Sequence, residues 1–162
     1  VESEWSSKLV GFGILGLIMA LWVFRKYWFK RNWSRACEAL RAGDLDTAER
    51  YLRRTLKSMP HVAFLSQTLG AVLARKGDLD EAEELYRMAA QLEPRNAQMY
   101  LHLGFFLALF RADRAHEAIQ AFARAIEFDP DLRERLWRED RLGALRMHPE
   151  FETLIGPQTR PS

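Results

Sequence analysis

The sequence predicts an all-α fold: a solenoid of three stacked helix pairs, closed by C-terminal capping helices and preceded by one membrane-spanning helix. Three observations predict it. The heptapeptide Gly43-Asp44-Leu45-Asp46-Thr47-Ala48-Glu49 returns thirty-four residues later as Gly77-Asp78-Leu79-Asp80-Glu81-Ala82-Glu83, identical at six of seven positions. A repeat at that spacing marks a helical array, because one helix pair cannot bury its apolar face without stacking on a copy of itself. Apolar periodicity of the helical kind flanks each Gly-Asp turn, and Pro60, Pro94 and Pro130 close successive units. Finally, residues 9–24 form a run of sixteen positions without a charge.

Bulk composition narrows the function classes. The formal charge of +2 over 162 residues creates no electrostatic demand for nucleic acid, and no such partner is expected. A single cysteine, Cys37, excludes an intramolecular disulfide and any CxxC metal or redox pair.

Residues 1–8 read as a short polar tail and residues 9–28 as the transmembrane helix. At about 1.5 Å per residue the uncharged run spans roughly 24 Å, slightly short of a ~30 Å hydrocarbon core. The flanks supply the remainder. Trp5 stands on one side and Trp22, Tyr27, Trp28 and Phe29 on the other, as interfacial rings do, while Lys8, Arg25 and Lys26 can snorkel. A cleaved signal peptide would carry its basic residues before the apolar run and a small-residue site after it. Here the basic residues follow. Arg25, Lys26, Lys30, Arg31 and Arg35 form a cluster suited to a membrane surface. The positive-inside bias then places the N-terminus outside and the repeats in the cytoplasm.

Within the span, Gly11, Gly13 and Gly16 spell G-x-G-x-x-G, but no strand precedes them, so a dinucleotide loop is not expected. Gly13, Gly16 and Ala20 instead form a small-residue stripe where another membrane helix could approach closely. Neither Gly nor Pro interrupts residues 17–42, which predicts that the membrane helix runs unbroken into the first soluble helix.

The units run over residues 29–60, 61–94 and 95–130. In the second, Leu69-Gly70 falls in the first helix and Ala82, Tyr86 and Ala89 in the second; in the third, Tyr100, Leu103-Gly104, Ala118, Phe122 and Ala125 keep that order. Small residues belong where helices cross tightly, and aromatics fill the wider gaps. The first unit is degenerate, retaining Trp33, Ala36, Ala48 and Leu52 but carrying Thr55 where the other units have Ala. The third has two extra residues in the turn between its helices and lacks the Gly-Asp pair. This pattern resembles the tetratricopeptide repeat family over roughly residues 29–130. Residues 131–155 read as capping helices, with Leu132, Leu136 and Trp137 in one, Leu142 and Leu145 in another, and Phe151, Leu154 and Ile155 after Pro149. Residues 156–162 are expected to be disordered.

No catalytic constellation is visible, and enzyme activity, a cofactor and a metal are not expected. The four histidines lack metal-ligand spacing, and Cys37 has no nearby base. The acid-rich stretch 78–84 reads as a solvated helix start. What the resemblance implies is binding: in that family the first helix of each repeat builds a face that grips a peptide or a partner helix. Carried onto this sequence, the face comprises Trp33, Cys37, Phe64, Gln67, Thr68, Ala71, Arg75, Gln98, Leu101, His102 and Phe105. It reads as apolar with polar amides, suited to hydrophobic anchors on a partner. The Lys, Asn and Arg with which family members clamp a chaperone's terminal carboxylate are mostly missing. The expected role is a membrane-anchored adaptor that assembles or stabilises a membrane complex, with protein segments and the bilayer as partners. The alternatives are an accessory single-span subunit of a bacterial energy-transducing or transport complex, or an organelle outer-membrane receptor. The Arg-rich composition and a tail resembling bacterial members favour a bacterial inner membrane.

Overall fold

The computed structural model describes residues 2–156, with side chains from Leu17 onward. Among the described residues all regular structure is helical: α1 (Glu2–Ala42), α2 (Leu45–Ser58), α3 (Ala63–Lys76), α4 (Leu79–Leu92), α5 (Ala97–Phe110), α6 (Ala115–Phe128), α7 (Leu132–Arg138) and α8 (Pro149–Ile155). The chain divides into two compact units, one ending at Thr55 and the other beginning at Leu56.

In the first unit the unbroken helix expected after residue 17 is present and begins at Glu2, inside the stretch expected to be a polar tail. It ends at Gly43, whose φ of 77° lets Asp44 N–H reach back to Ala39 O at 2.9 Å. Asp44 then caps α2 by accepting the Thr47 N–H at 2.9 Å, a bond that holds its carboxyl below the usual range. Thr55 is buried where the repeat pattern prefers alanine, and its hydroxyl is satisfied by Tyr51 O at 2.7 Å. That bond is how the degenerate position is tolerated. From Leu17 to Phe24 every α1 side chain is exposed, as is Tyr27, with Lys26 over the Trp22 ring at 5.3 Å. No helix of the described residues is long and apolar enough to cross a membrane. The first half of the expected span, and with it Gly13 and Gly16, lies outside the described side chains; Ala20 is exposed.

In the second unit α3, α4, α5 and α6 each have fourteen residues. Gly77 (φ 95°) closes α3 as Gly43 closes α1, with Asp78 N–H on Leu73 O at 3.0 Å. The α5–α6 connection replaces that pair with Arg111 and a 3-10 turn, Ala112–Arg114, which takes up the two extra residues. Inside each pair a glycine faces an aromatic ring. A Cβ on Gly70 would lie 3.3 Å from Tyr86, and one on Gly104 would lie 2.7 Å from Phe122. Ala82, Ala89, Ala118 and Ala125 are wholly buried, as tight crossings require. Burial pushes the Tyr86 phenol up to about 12.

The rings continue between layers. Tyr86 meets Phe106 at 5.1 Å, Phe105 meets Phe122 edge-on at 5.3 Å, and Phe122 meets Phe151 of α8 at 6.0 Å. With Leu132, Leu136, Leu142 and Leu145, all buried, Phe151 and Ile155 cover the last helix pair. The expected helix around Leu142 and Leu145 is instead two 3-10 turns, Asp140–Leu142 and Leu145–Met147. Arg146 holds this segment by donating to Trp137 O and, at 3.2 Å, to Glu139 O.

Glu83 corrects the expectation that the acid-rich stretch is merely solvated. It is buried on α4 and receives Arg87 at 3.0 Å, Arg111 at 3.3 Å and Arg114, while Arg111 also meets Asp80 and Arg87 meets Glu117 at 2.5 Å. The lengthened turn thus supplies two of the three cations for a carboxylate one repeat away.

Two stability outcomes follow from these contacts. Gly104→Ala lowers the unfolding free energy by about 1–3 kcal/mol, because a buried ring must shift, and Gly70→Ala costs less. Glu83→Ala costs about 1–2 kcal/mol, between the values for exposed and buried pairs. Urea unfolding in detergent micelles checks both orders of effect.

Candidate functional site

Helices α3 and α5 lie side by side, and the 3-10 turn that follows α7 packs against α5. Between them is an open concavity of about 510 Å³. Helical spacing explains its floor. Leu101, Phe105 and Leu109 recur at four-residue steps on α5, so they share one face with Gln98 and His102. Ala71, Ala74 and Arg75 of α3 form one wall, and Arg135, Leu136, Glu139 and Arg141 the other. Tyr86, Phe106 and Phe110 complete the lining.

Six of the residues expected on a binding face are therefore in one place: Ala71, Arg75, Gln98, Leu101, His102 and Phe105. Phe64, Gln67 and Thr68 sit earlier on α3 and do not line the concavity; the Thr68 hydroxyl returns to Phe64 O at 2.7 Å. Trp33 and Cys37 are half-buried on α1 in the first unit. Arg25, Lys26, Lys30, Arg31 and Arg35 are exposed on that same helix, with Arg35 donating to the Tyr51 hydroxyl at 2.9 Å.

The charged wall is what sequence reasoning missed. Arg141 packs over the Phe105 ring at 5.2 Å and meets Glu139 through two bonds of 2.7 and 3.0 Å. That ion pair holds the Glu139 carboxyl below its usual range. Burial, and then the Arg135 guanidinium, push the His102 imidazole below its ordinary value, so it is neutral at pH 7. Nothing in this lining pairs a nucleophile with a base. The other buried or bonded histidine, His116, contacts Glu150 at 2.7 Å and Gln120 at 2.8 Å, linking α6 to α8. Among the described residues no cluster of His, Cys, Asp or Glu is arranged to hold a metal ion.

Comparison with protein families finds the tetratricopeptide repeat model matching residues 34–97 and 68–132. Comparison with curated proteins finds no match. Among solved structures, an O-GlcNAc transferase mutant of Thermobaculum terrenum is 28% identical with a TM-score of 0.59, over 67% of this chain and 21% of that one. This chain therefore spans about a fifth of the transferase. The MamA protein is 22% identical with a TM-score of 0.64, over 79% of this chain and 67% of that one. The Yersinia enterocolitica type III secretion chaperone SycD, in complex with a peptide of the translocator YopD, is 19% identical with a TM-score of 0.61, over 73% and 92%. At these identities MamA and SycD share the fold.

The depressed His102 gives a pH dependence with a definite sign. Its folded pKa lies below the unfolded value of about 6.5, so the unfolded chain binds the proton more readily. Stability is full above that value and declines as pH falls from it through the folded pKa. Urea midpoints between pH 7.5 and 5 will fall less for His102→Asn than for the unaltered chain.

Proposed function

This chain belongs to the tetratricopeptide repeat family, and on that premise we propose that it is a membrane-anchored adaptor whose groove holds a segment of another protein. The concavity between α3, α5 and α7 carries the reading. It is open, its floor is mostly aromatic and aliphatic with Gln98 and His102 set in it, and its arginines and Glu139 stand at the walls, the arrangement that anchors an extended segment by apolar side chains and orients it by polar ones. The peptide complex of SycD is a use of the same fold for gripping a segment of a partner. A lining that offers shape and charge suits the binding of such a segment.

The anchor rests on α1. Its exposed side chains from Leu17 to Phe24 are mostly large and apolar, and exposed Arg25, Lys26, Lys30, Arg31 and Arg35 follow. Exposed apolar surface of that extent marks a contact with protein or membrane, and the basic residues that follow it favour the membrane. The proposed arrangement is N-terminus outside, repeats in the cytoplasm, in a bacterial inner membrane. A groove held near the bilayer suits a partner already there, a subunit of a membrane complex in assembly, and no nucleic acid.

A photoreactive residue placed at His102 of the full chain, irradiated in native membranes, tests both halves. The expected product is one discrete adduct to another membrane protein, lost when Ala71→Phe fills the groove, in a chain that resists alkaline extraction. An adduct that persists with the groove filled rejects the groove, and release by alkali rejects the anchor.

A further inference from the structure

The walls of the groove give its occupant a charge. Arg75, at the C-terminal end of α3, and Arg135, on α7, both line the concavity, and neither makes an ion pair among the described residues. Arg141 also lines it but is matched by Glu139. Three arginines thus face one carboxylate, and two guanidiniums are in excess. The floor beneath them is apolar, so a ligand's charge there is less screened than on open surface. His102 on the floor is neutral at pH 7 and leaves the sign unchanged.

From this we infer that the groove selects an acidic segment of a partner: a stretch with Asp or Glu side chains beside a large apolar anchor. The inference rests on the groove reading above and sharpens it. Planar guanidinium forks match carboxylates through paired hydrogen bonds. A basic segment meets two uncompensated like charges, which disfavours it by repulsion. The selecting charges come from the first helix of one repeat and from the cap, so the cap is a specificity element as well as a cover. Arg141, over the Phe105 ring and paired with Glu139, shapes the wall without adding net charge.

The test is panning of a random dodecapeptide library, displayed on phage with no free C-terminus, against the full chain in detergent micelles. The expected winners carry Asp or Glu beside Leu, Phe or Trp. A synthetic winner is expected to bind about tenfold more weakly to Arg75→Glu or Arg135→Glu, and more weakly as salt rises. Arg133→Glu, on the same helix as Arg135 but outside the concavity, should change binding less than about twofold, separating a local contact from the general field. Circular dichroism checks that each variant stays folded. Groove-dependent winners that are neutral or basic, or that ignore Arg75→Glu and Arg135→Glu, overturn this inference and leave the groove reading standing. An equal loss on Arg133→Glu also overturns it. Winners indifferent to Ala71→Phe, or no winners at all, overturn both.

Discussion

Everything in the repeat unit depends on how closely the two helices of a pair can approach. At Gly104 there is no room for a Cβ, because the Phe122 ring occupies that space, and at Gly70 the fit against Tyr86 is only slightly looser. A glycine opposite a large ring lets the backbones close while the ring fills the gap beside the crossing. The ring is then held by one pair and presented to the next: Tyr86 reaches Phe106, and Phe122 reaches Phe151 in the cap. Closure within a pair therefore sets the position of its neighbour. That coupling is what makes a stack of individually unstable helix pairs cooperative.

The departure from regular repetition has its own logic. Where α3 and α4 are joined by Gly-Asp, α5 and α6 are joined by a longer turn bearing Arg111 and Arg114. Both arginines turn back to α4, where the buried Glu83 carboxylate takes them as partners. The insertion lengthens the connection and at the same time ties it to the preceding repeat. A loop that would otherwise be loose becomes part of the inter-repeat contact.

What the sequence made legible was whatever is local. The Gly-Asp turns and the small-residue crossings follow from spacing within one repeat, and the family match over residues 34–132 agrees. Glu83 was misread because two of its three partners lie about thirty residues downstream; the available signal was two arginines standing where a Gly-Asp pair was missing. The cap was read as helices throughout, but Leu142 and Leu145 at a three-residue step fit a 3-10 turn as well as an α-helix, and 3-10 turns form there. The groove's apolar floor was visible on α5, whereas its charge was not. Arg75 and Arg135 are sixty residues apart, and no periodicity predicts that they face one space.

The cap therefore carries two duties through one set of residues. Leu132, Leu136 and Phe151 leave water to cover the last pair, each worth about 1.5–3 kcal/mol of burial. The same segment carries Arg135, Glu139 and Arg141 into the concavity. In a long array the groove is built by repetition, and its ends matter little. Here α3 and α5 supply only two inner helices to it, and α7 makes the third wall. The depth and charge of the site are consequently set by the element that closes the core. A change that loosens the cap must alter binding as well as stability, because no separate element is available to hold that wall.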